Sequence, residues 1–232
     1  MSIEFYFRLA GMIGFAIAGA FLGDSVGRAT DQSPQITAIL LGLTGALVGL
    51  ILTPYITTRP VRAIRRVLLI HGIILSIGGI PLIYLGDEVG TLNDYSYRDD
   101  PAKSGDSRWV HRPFANWEKI DRRNVPHTLE AEVYGGLQRL IAVRKETEAF
   151  SGGAMSVVDA DNPHVFGYVR QNDRGRILAL ANLSEREQRV TANTVRNHGL
   201  SYSFRDLIRG DIITLGDDLA LGSYQLVWLM AV

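Results

Sequence analysis

The sequence predicts a mixed fold. An N-terminal transmembrane helical hairpin leads into a helix–strand–helix piece of an incomplete (β/α)8 barrel, and a C-terminal antiparallel β-sandwich follows. Three observations carry this. Two uncharged, glycine-rich apolar runs lie near the N-terminus. Further on, an apolar run with strand character ends abruptly in Gly86-Asp87-Glu88 and opens into a long polar loop, as a parallel barrel strand does when it delivers acidic groups to a ligand face. Beyond Phe150, short runs of β-formers alternate with turn signals. The chain around the middle piece is too short to supply the rest of a barrel, so that barrel is incomplete.

Average composition hides this division. The chain has 232 residues, 24 basic and 24 acidic, and no cysteine. Residues 1–66 hold six arginines and three acidic groups in a mostly apolar background, while residues 67–232 hold 18 basic and 21 acidic groups. Such a shift predicts two parts with different solvents. The lack of cysteine excludes disulfides and thiolate metal sites. Balanced charge gives no reason to expect a nucleic-acid partner.

The hairpin comes first, over residues 1–61. Leu9 to Gly23 is uncharged and stops at Asp24; Ile36 to Ile56 is a second uncharged run of 21 residues. At about 1.5 Å per residue the second run crosses ~30 Å of hydrocarbon. The first becomes long enough when Phe5–Phe7 and the segment to Val26 are added. Asp24–Gln35 reads as a polar turn between them. Gly19-x-x-x-Gly23 and Gly45-x-x-x-Gly49 let two helix backbones approach closely in lipid. A soluble hairpin should show a polar face, and the second run has none. A cleaved signal peptide is disfavoured, because no basic stretch precedes the first run and a second span follows. Arg59, Arg62, Arg65 and Arg66 come next, which places both ends of the hairpin, and the C-terminal part, in the cytoplasm. The rival reading of this cluster is a phosphate-binding patch, but the cluster is short and lacks interleaved aromatics.

Residues 1–66 resemble the membrane-anchor region of bacterial PIN/TRAM-domain proteins. The likeness is carried by Arg8-Leu-Ala-Gly-Met-Ile-Gly14, the glycine-spaced second run and Leu52-Thr-Pro-Tyr-Ile-Thr-Thr-Arg-Pro60. The nuclease and RNA-binding domains of that family do not follow, so nuclease activity is not implied.

Residues 62–148 form the middle piece. Val67–Leu85 is apolar, with His71 its only ionisable residue, and hydropathy alone allows a third span. Two features argue otherwise. Gly78-Gly-Ile-Pro81 breaks a helix. After the break, Ile80–Leu85 suits a buried parallel strand, with Pro81 near its start. The prediction is a helix over 62–77 and a strand over 80–85. Over 127–148, Leu129, Val133, Leu137, Leu140, Ile141 and Val143 fall at helical spacing, with His127-Thr128 placed to cap the start. In residues 149–232, strands are expected at 154–159, 164–170, 176–183, 187–192, 201–208 and 223–231.

From about residue 66 onward the chain closely resembles amylosucrases of glycoside hydrolase family 13, in the α-amylase superfamily. Gly79-x-Pro81 through Glu88 is similar to that family's eighth-strand motif, with the end of the seventh helix before it. Thr91-Leu-Asn-Asp94 and Asp106-Ser-Arg-Trp-Val-His-Arg-Pro113 resemble the loop after that strand. Arg122-Arg-Asn-Val-Pro126 resembles a motif whose sugar-pocket arginine falls on Arg123, with Val125 standing where the family often has an acidic residue. Leu140-Ile-Ala-Val-Arg144 resembles the eighth helix. Asn162-Pro-His-Val-Phe-Gly-Tyr168 and Tyr224-Gln-Leu-Val-Trp-Leu229 resemble early and last strands of the β-domain. The resemblance implies glucose transfer from sucrose to an α-glucan, with no organic cofactor.

It also implies a shortage. A retaining transglucosidase needs two carboxyl groups ~5 Å apart across the sugar bond. The family carries them, with a third acid, on strands four, five and seven, and the matching part of this chain starts just before strand eight. No catalytic residue is therefore assigned. Asp87 and Glu88 are adjacent, so they do not flank one bond, and Glu88 is expected to support the loop or line a pocket. The substrate-binding candidates are Arg123, Asp87, Glu88 and Trp109, with Tyr95 and Tyr97 as further rings able to stack on sugar. Structural roles compete for each: an exposed arginine, loop packing by the rings. Asp99-Asp100 reads as a solvated loop pair, the five histidines form no metal pair, and Asn182-Leu-Ser184 is a weak glycosylation sequon.

A strand eight without neighbours leaves open edges, which predicts self-association or rearrangement onto the hairpin. The leading expectation is an amylosucrase-like C-terminal piece on a membrane hairpin, inactive alone. A membrane-anchored carbohydrate-binding module, and a subunit completing a barrel from another chain, are the alternatives.

Overall fold

The computed structural model describes residues 3–30 and 32–232, without side chains at 3–5 and 54–60. Asp31, which the sequence puts in the polar turn, and the side chain of Arg59 lie outside that description. The chain divides into two compact units, Met1–Ala63 and Ile64–Val232.

The first unit pairs α1 (Ile3–Ala29) with the first part of α2 (Pro34–Ile77). Their shared face is the glycine face. A Cβ at Gly19 or Gly23 would run into the carbonyl oxygen of Leu41 or Thr37, and one at Gly45 or Gly49 into that of Phe15 or Gly11. The backbones therefore approach more closely than any side chain allows, and the Thr37 hydroxyl donates across to the Gly23 carbonyl at 2.7 Å. The turn is shorter than the sequence predicts. Asp24 and Arg28 pair one helical turn apart at 2.9 Å and keep α1 helical to Ala29. Tyr6–Ala29 and Pro34–Thr53 are long and apolar enough to cross a membrane, and only 6% of the apolar 18-residue stretch within each is buried by protein.

The expected start of a separate helix at 62 is absent, because α2 runs unbroken from Pro34 to Ile77. Val61–Arg66 contains no glycine and mostly good helix formers, and the helix runs on through Pro54 and Pro60. It ends at Gly78 and Gly79, both in left-handed backbone. Two arginines cap that end. Arg144 donates to the Leu75 and Gly79 carbonyls, and Arg170 to the Ile77 carbonyl at 2.9 Å.

The strand predicted over 80–85 does not form: these residues belong to no ladder. Ile80 is 99% and Leu82 77% exposed. The run has strand-forming residues but no neighbouring strand, and an isolated strand has no hydrogen-bonding partner. No parallel pairing occurs among the described residues, and the barrel piece is not formed as such. Short 3-10 turns fill the long loop up to α3 (Trp117–Asp121). Helix α4 (Leu129–Glu146) follows as the periodicity predicts, with Val133, Leu137 and Leu140 buried. Its cap is Thr128, whose hydroxyl accepts from the Ala131 amide, whereas His127 sits outside in left-handed backbone.

The rest is mostly antiparallel sheet. The strands are β1 (Ala154–Val158), β2 (Val165–Asn172), β3 (Gly175–Asn182), β4 (Gln188–Val190), β5 (Ser203–Asp206), β6 (Ile212–Thr214), β7 (Leu219–Leu221) and β8 (Leu226–Ala231), with helix α5 (Ala192–Gly199) after β4. Six strands run in the order β1-β2-β3-β8-β5-β6, and β4 pairs with β7 separately. The central pairs place Tyr168 opposite Ala179 and Ala179 opposite Trp228. Alternate residues then face two cores. One holds Leu178, Leu180, Val195, Phe204, Val227 and Leu229. The other packs Tyr168, Ile177, Trp228 and Phe150 against Leu69, Leu75 and Leu140 of the helices. The expected sandwich is thus one large sheet covered by a two-stranded ribbon and α5 on one face and by helices on the other. The sequon is closed: buried Asn182 spends its amide on the Arg186, Leu221 and Gly222 carbonyls.

Candidate functional site

Asp87 and Glu88 begin a 3-10 turn, Asp87–Val89, flanked by Gly86 and Gly90 in left-handed backbone. Glu88 turns back, and its Oε2 accepts from the Gly86 amide at 2.7 Å. It braces the turn. Asp87 Oδ2 lies 3.4 Å from His71 Nε2. The other ring nitrogen, Nδ1, donates to the Val67 carbonyl at 2.8 Å, since a carbonyl only accepts. His71 and Asp87 therefore form an ion pair only when both ring nitrogens carry protons. Sequence reasoning missed this partner. The signal was a lone histidine in an apolar run, because a buried imidazole needs something polar to face.

Arg123 lies over the Tyr134 ring, 5.4 Å from its centroid. The neighbouring Arg122 takes the acid, its Nε 3.5 Å from the buried Glu130 carboxylate. Both targets sit on α4 one turn apart, so the two arginines clamp one helix face. Trp109 is half-buried under Lys103, whose ammonium lies 5.4 Å from the ring centroid. Lys103 also pairs with Asp100 at 3.0 Å, and that pair lowers the Asp100 pKa, with the Ala102 amide adding to it. Arg108 holds Asp106 down to about 2. More exposed rings stand nearby in sequence, with Phe114 84% and Trp117 71% exposed.

Of the four candidates, Asp87 lines a cavity among the three described. A pocket of about 250 Å3 is walled by Asp87, Tyr84, Asn93 and His111, with the His111 ring 3.1 Å from the Asn93 side-chain oxygen. These groups can exchange hydrogen bonds with a polyhydroxylated ligand. Asp87 is the pocket's only carboxylate, and double displacement at a sugar carbon needs two. Glu88, Arg123 and Trp109 are each engaged by their own neighbours. Among the described residues, no three His, Asp or Glu side chains gather to hold a metal.

Comparisons with known proteins locate this architecture. Residues 156–230 match the family model of the amylosucrase C-terminal domain. The chain is 33% identical over 166 residues to glucosylglycerate phosphorylase of Escherichia coli, covering 71% of this chain and 28% of that protein. A second glucosylglycerate phosphorylase, from Spirochaeta thermophila, is 28% identical over 182 residues, covering 74% of this chain and 30% of that one. The chain thus spans less than a third of the curated relatives it matches. Among solved structures, AmyP in complex with maltose superposes with a TM-score of 0.56 at 16% identity, over 72% of this chain and 34% of that one. The β-domain resembles the C-terminal region of glycoside hydrolase family 13 enzymes, and the matched relatives are carbohydrate-active enzymes of the α-amylase superfamily.

Proposed function

We propose that this polypeptide is the closing section of a glucosyl-transferring enzyme of glycoside hydrolase family 13, carried on a membrane hairpin, and that by itself it transfers no glucose. The observation that carries the reading is the match of residues 156–230 to the amylosucrase C-terminal domain, extended by the 166-residue likeness to glucosylglycerate phosphorylase. The substrate class is a small glucoside or an α-glucan. Sucrose follows from the sequence resemblance, and glucosylglycerate from the curated relatives. Inactivity follows from the chemistry present, because each of the three described cavities is lined by a single carboxylate. In this reading residues 80–85 correspond, by sequence resemblance, to the family's eighth barrel strand. The exposed Ile80, Leu82 and Leu85 support self-association through that edge.

Membrane anchoring is supported by two spans whose apolar surface has almost no protein cover, and by the resemblance of residues 1–66 to PIN/TRAM-protein anchors. The arginines after the second span put the C-terminal part in the cytoplasm.

The test is turnover by the purified polypeptide, supplied with sucrose, and separately with glucosylglycerate and inorganic phosphate. The expected result is no fructose release and no phosphate consumption. A rate that Asp87→Asn or Glu88→Gln abolishes would overturn the proposal.

A second reading is favoured by the exposed rings of Phe114 and Trp117: a membrane-anchored carbohydrate-binding module using the loop around Trp109. Saturable retention of the whole polypeptide on immobilised α-glucan, lost in Trp117→Ala, is what that reading requires.

A further inference from the structure

We propose that a second groove, which shares no residue with the Asp87 pocket, is a binding site for a phosphate-bearing ligand. It has a volume of about 770 Å3 and lies among the last part of α2, α4 and the turn before β8. That volume falls within the range of small-molecule sites.

Three arginines from three separate elements line it: Arg65 of α2, Arg139 of α4 and Arg209 between β5 and β6. None makes a salt bridge or side-chain hydrogen bond among the described residues, and Glu132 is the only carboxylate in the lining. Arg108 and Arg122, by contrast, are engaged by Asp106 and Glu130. Three cations around a cavity outnumber the acids that meet them, Glu132 in the lining and Asp206 acting on Arg209, and leave a site that favours an anion. The groove floor adds a donor, since the Ser223 hydroxyl oxygen is buried and has no hydrogen-bond partner.

The backbone holds the site in an unusual shape. Among the described residues four non-glycines have left-handed φ, and two of them, His127 (63°) and Tyr224 (51°), line this groove. Such conformations persist where the surroundings over-determine them, and they cluster at ligand sites. Tyr224 is also fixed by Arg66, which donates to its hydroxyl at 2.6 Å and lies 4.6 Å from its ring centroid.

Phosphate is the chemistry that fits. Its oxygens accept forked hydrogen bonds from several guanidinium groups at once, with room for a hydroxyl donor, whereas a carboxylate has only two oxygens to share. A neutral sugar leaves the excess positive charge of three arginines over Glu132 and Asp206 unmatched. From sequence alone the basic cluster was too short to read as a phosphate patch. Folding supplies Arg139 and Arg209 from beyond it.

Two sources offer this group: the headgroup of an anionic phospholipid, or a soluble sugar phosphate. Calorimetric titration of the full chain in a sugar-free, phosphate-free polyoxyethylene detergent separates them, with dihexanoyl phosphatidylglycerol, glucose 1-phosphate and glucose as probes. The expected result is saturable binding of at least one phosphate probe and none of glucose. Affinity should fall by roughly tenfold in each of Arg139→Gln and Arg209→Gln, with Ser223→Ala weaker than wild type and Arg108→Gln unchanged. Saturation by the lipid alone assigns the site to a headgroup, and saturation by glucose 1-phosphate alone to a soluble ligand. If wild type binds neither, the proposal fails whatever the variants do. Equal affinity in wild type and the Arg139→Gln/Arg209→Gln double variant also overturns it.

Discussion

The β-domain and the segment just after α2 are built from similar residues and reach opposite ends. In β3, Ile177–Ala181 is an apolar run with a strand on either side, β2 and β8, and all five residues are buried. Ile80–Leu85 is also an apolar run, with a proline near its start, yet no strand lies on either edge and Ile80, Leu82, Tyr84 and Leu85 are exposed. The difference teaches that strand-forming composition becomes a strand only when neighbours satisfy its backbone. The β-domain carries its own neighbours. The segment at 80–85 carries none, and it stays out of every ladder.

The comparison breaks first at the cores. Trp228 is fully buried and meets Phe150 edge-on, with ring centroids 4.9 Å apart. Trp228→Ala should cost about 3–5 kcal/mol of stability. Leu82→Ser should change it by at most ~0.5 kcal/mol and reduce self-association, because an exposed side chain has no packing to lose. Urea unfolding in detergent, followed by near-ultraviolet circular dichroism, measures both. Equal losses would erase the contrast.

Titration sharpens it with smaller effects of opposite sign. Burial pushes the Asp206 carboxyl above its ordinary 3.8, although it accepts from the Ile208 and Trp228 amides. Its folded pKa is raised, so the folded state binds the proton more tightly. Its contribution is full below the unfolded pKa and is lost as pH rises through the folded value. Stability relative to Asp206→Asn should therefore increase on acidification toward pH 3.8. In the loop, Arg108 holds Asp106 at about 2, so that contribution is present above 3.8 and lost as pH falls toward about 2. Asp106 is exposed, which keeps its effect small. Carboxyl resonances followed by NMR should show the two midpoints on opposite sides of the ordinary value.

Legibility in the sequence followed the same division. The apolar runs of the hairpin, the helical spacing from Leu129 to Val143, and the runs that became β2, β3 and β8 were readable, because each element's own residues encode its periodicity. Helix α5 was not, nor were β6 and β7. Each is short, and α5 announces itself only through Thr191, whose hydroxyl caps the Thr194 amide. The unbroken α2 was hidden by the change from apolar to basic residues, which marks a change of solvent and not of backbone. At the site, the roles of Arg122 and Arg123 depend on where α4 places Glu130 and Tyr134. The His71–Asp87 pair depends on a turn that brings the loop back to α2. Neither arrangement leaves a mark on residue spacing.

Hydrogen–deuterium exchange on the full chain tests the unpaired strand most directly. The account predicts that the amides of Leu82–Leu85 exchange at nearly the rate of an open chain while those of Ile177–Ala181 stay protected. Protection at 82–85 equal to that of β3 would mean a paired strand in a closed sheet, and would contradict the central claim.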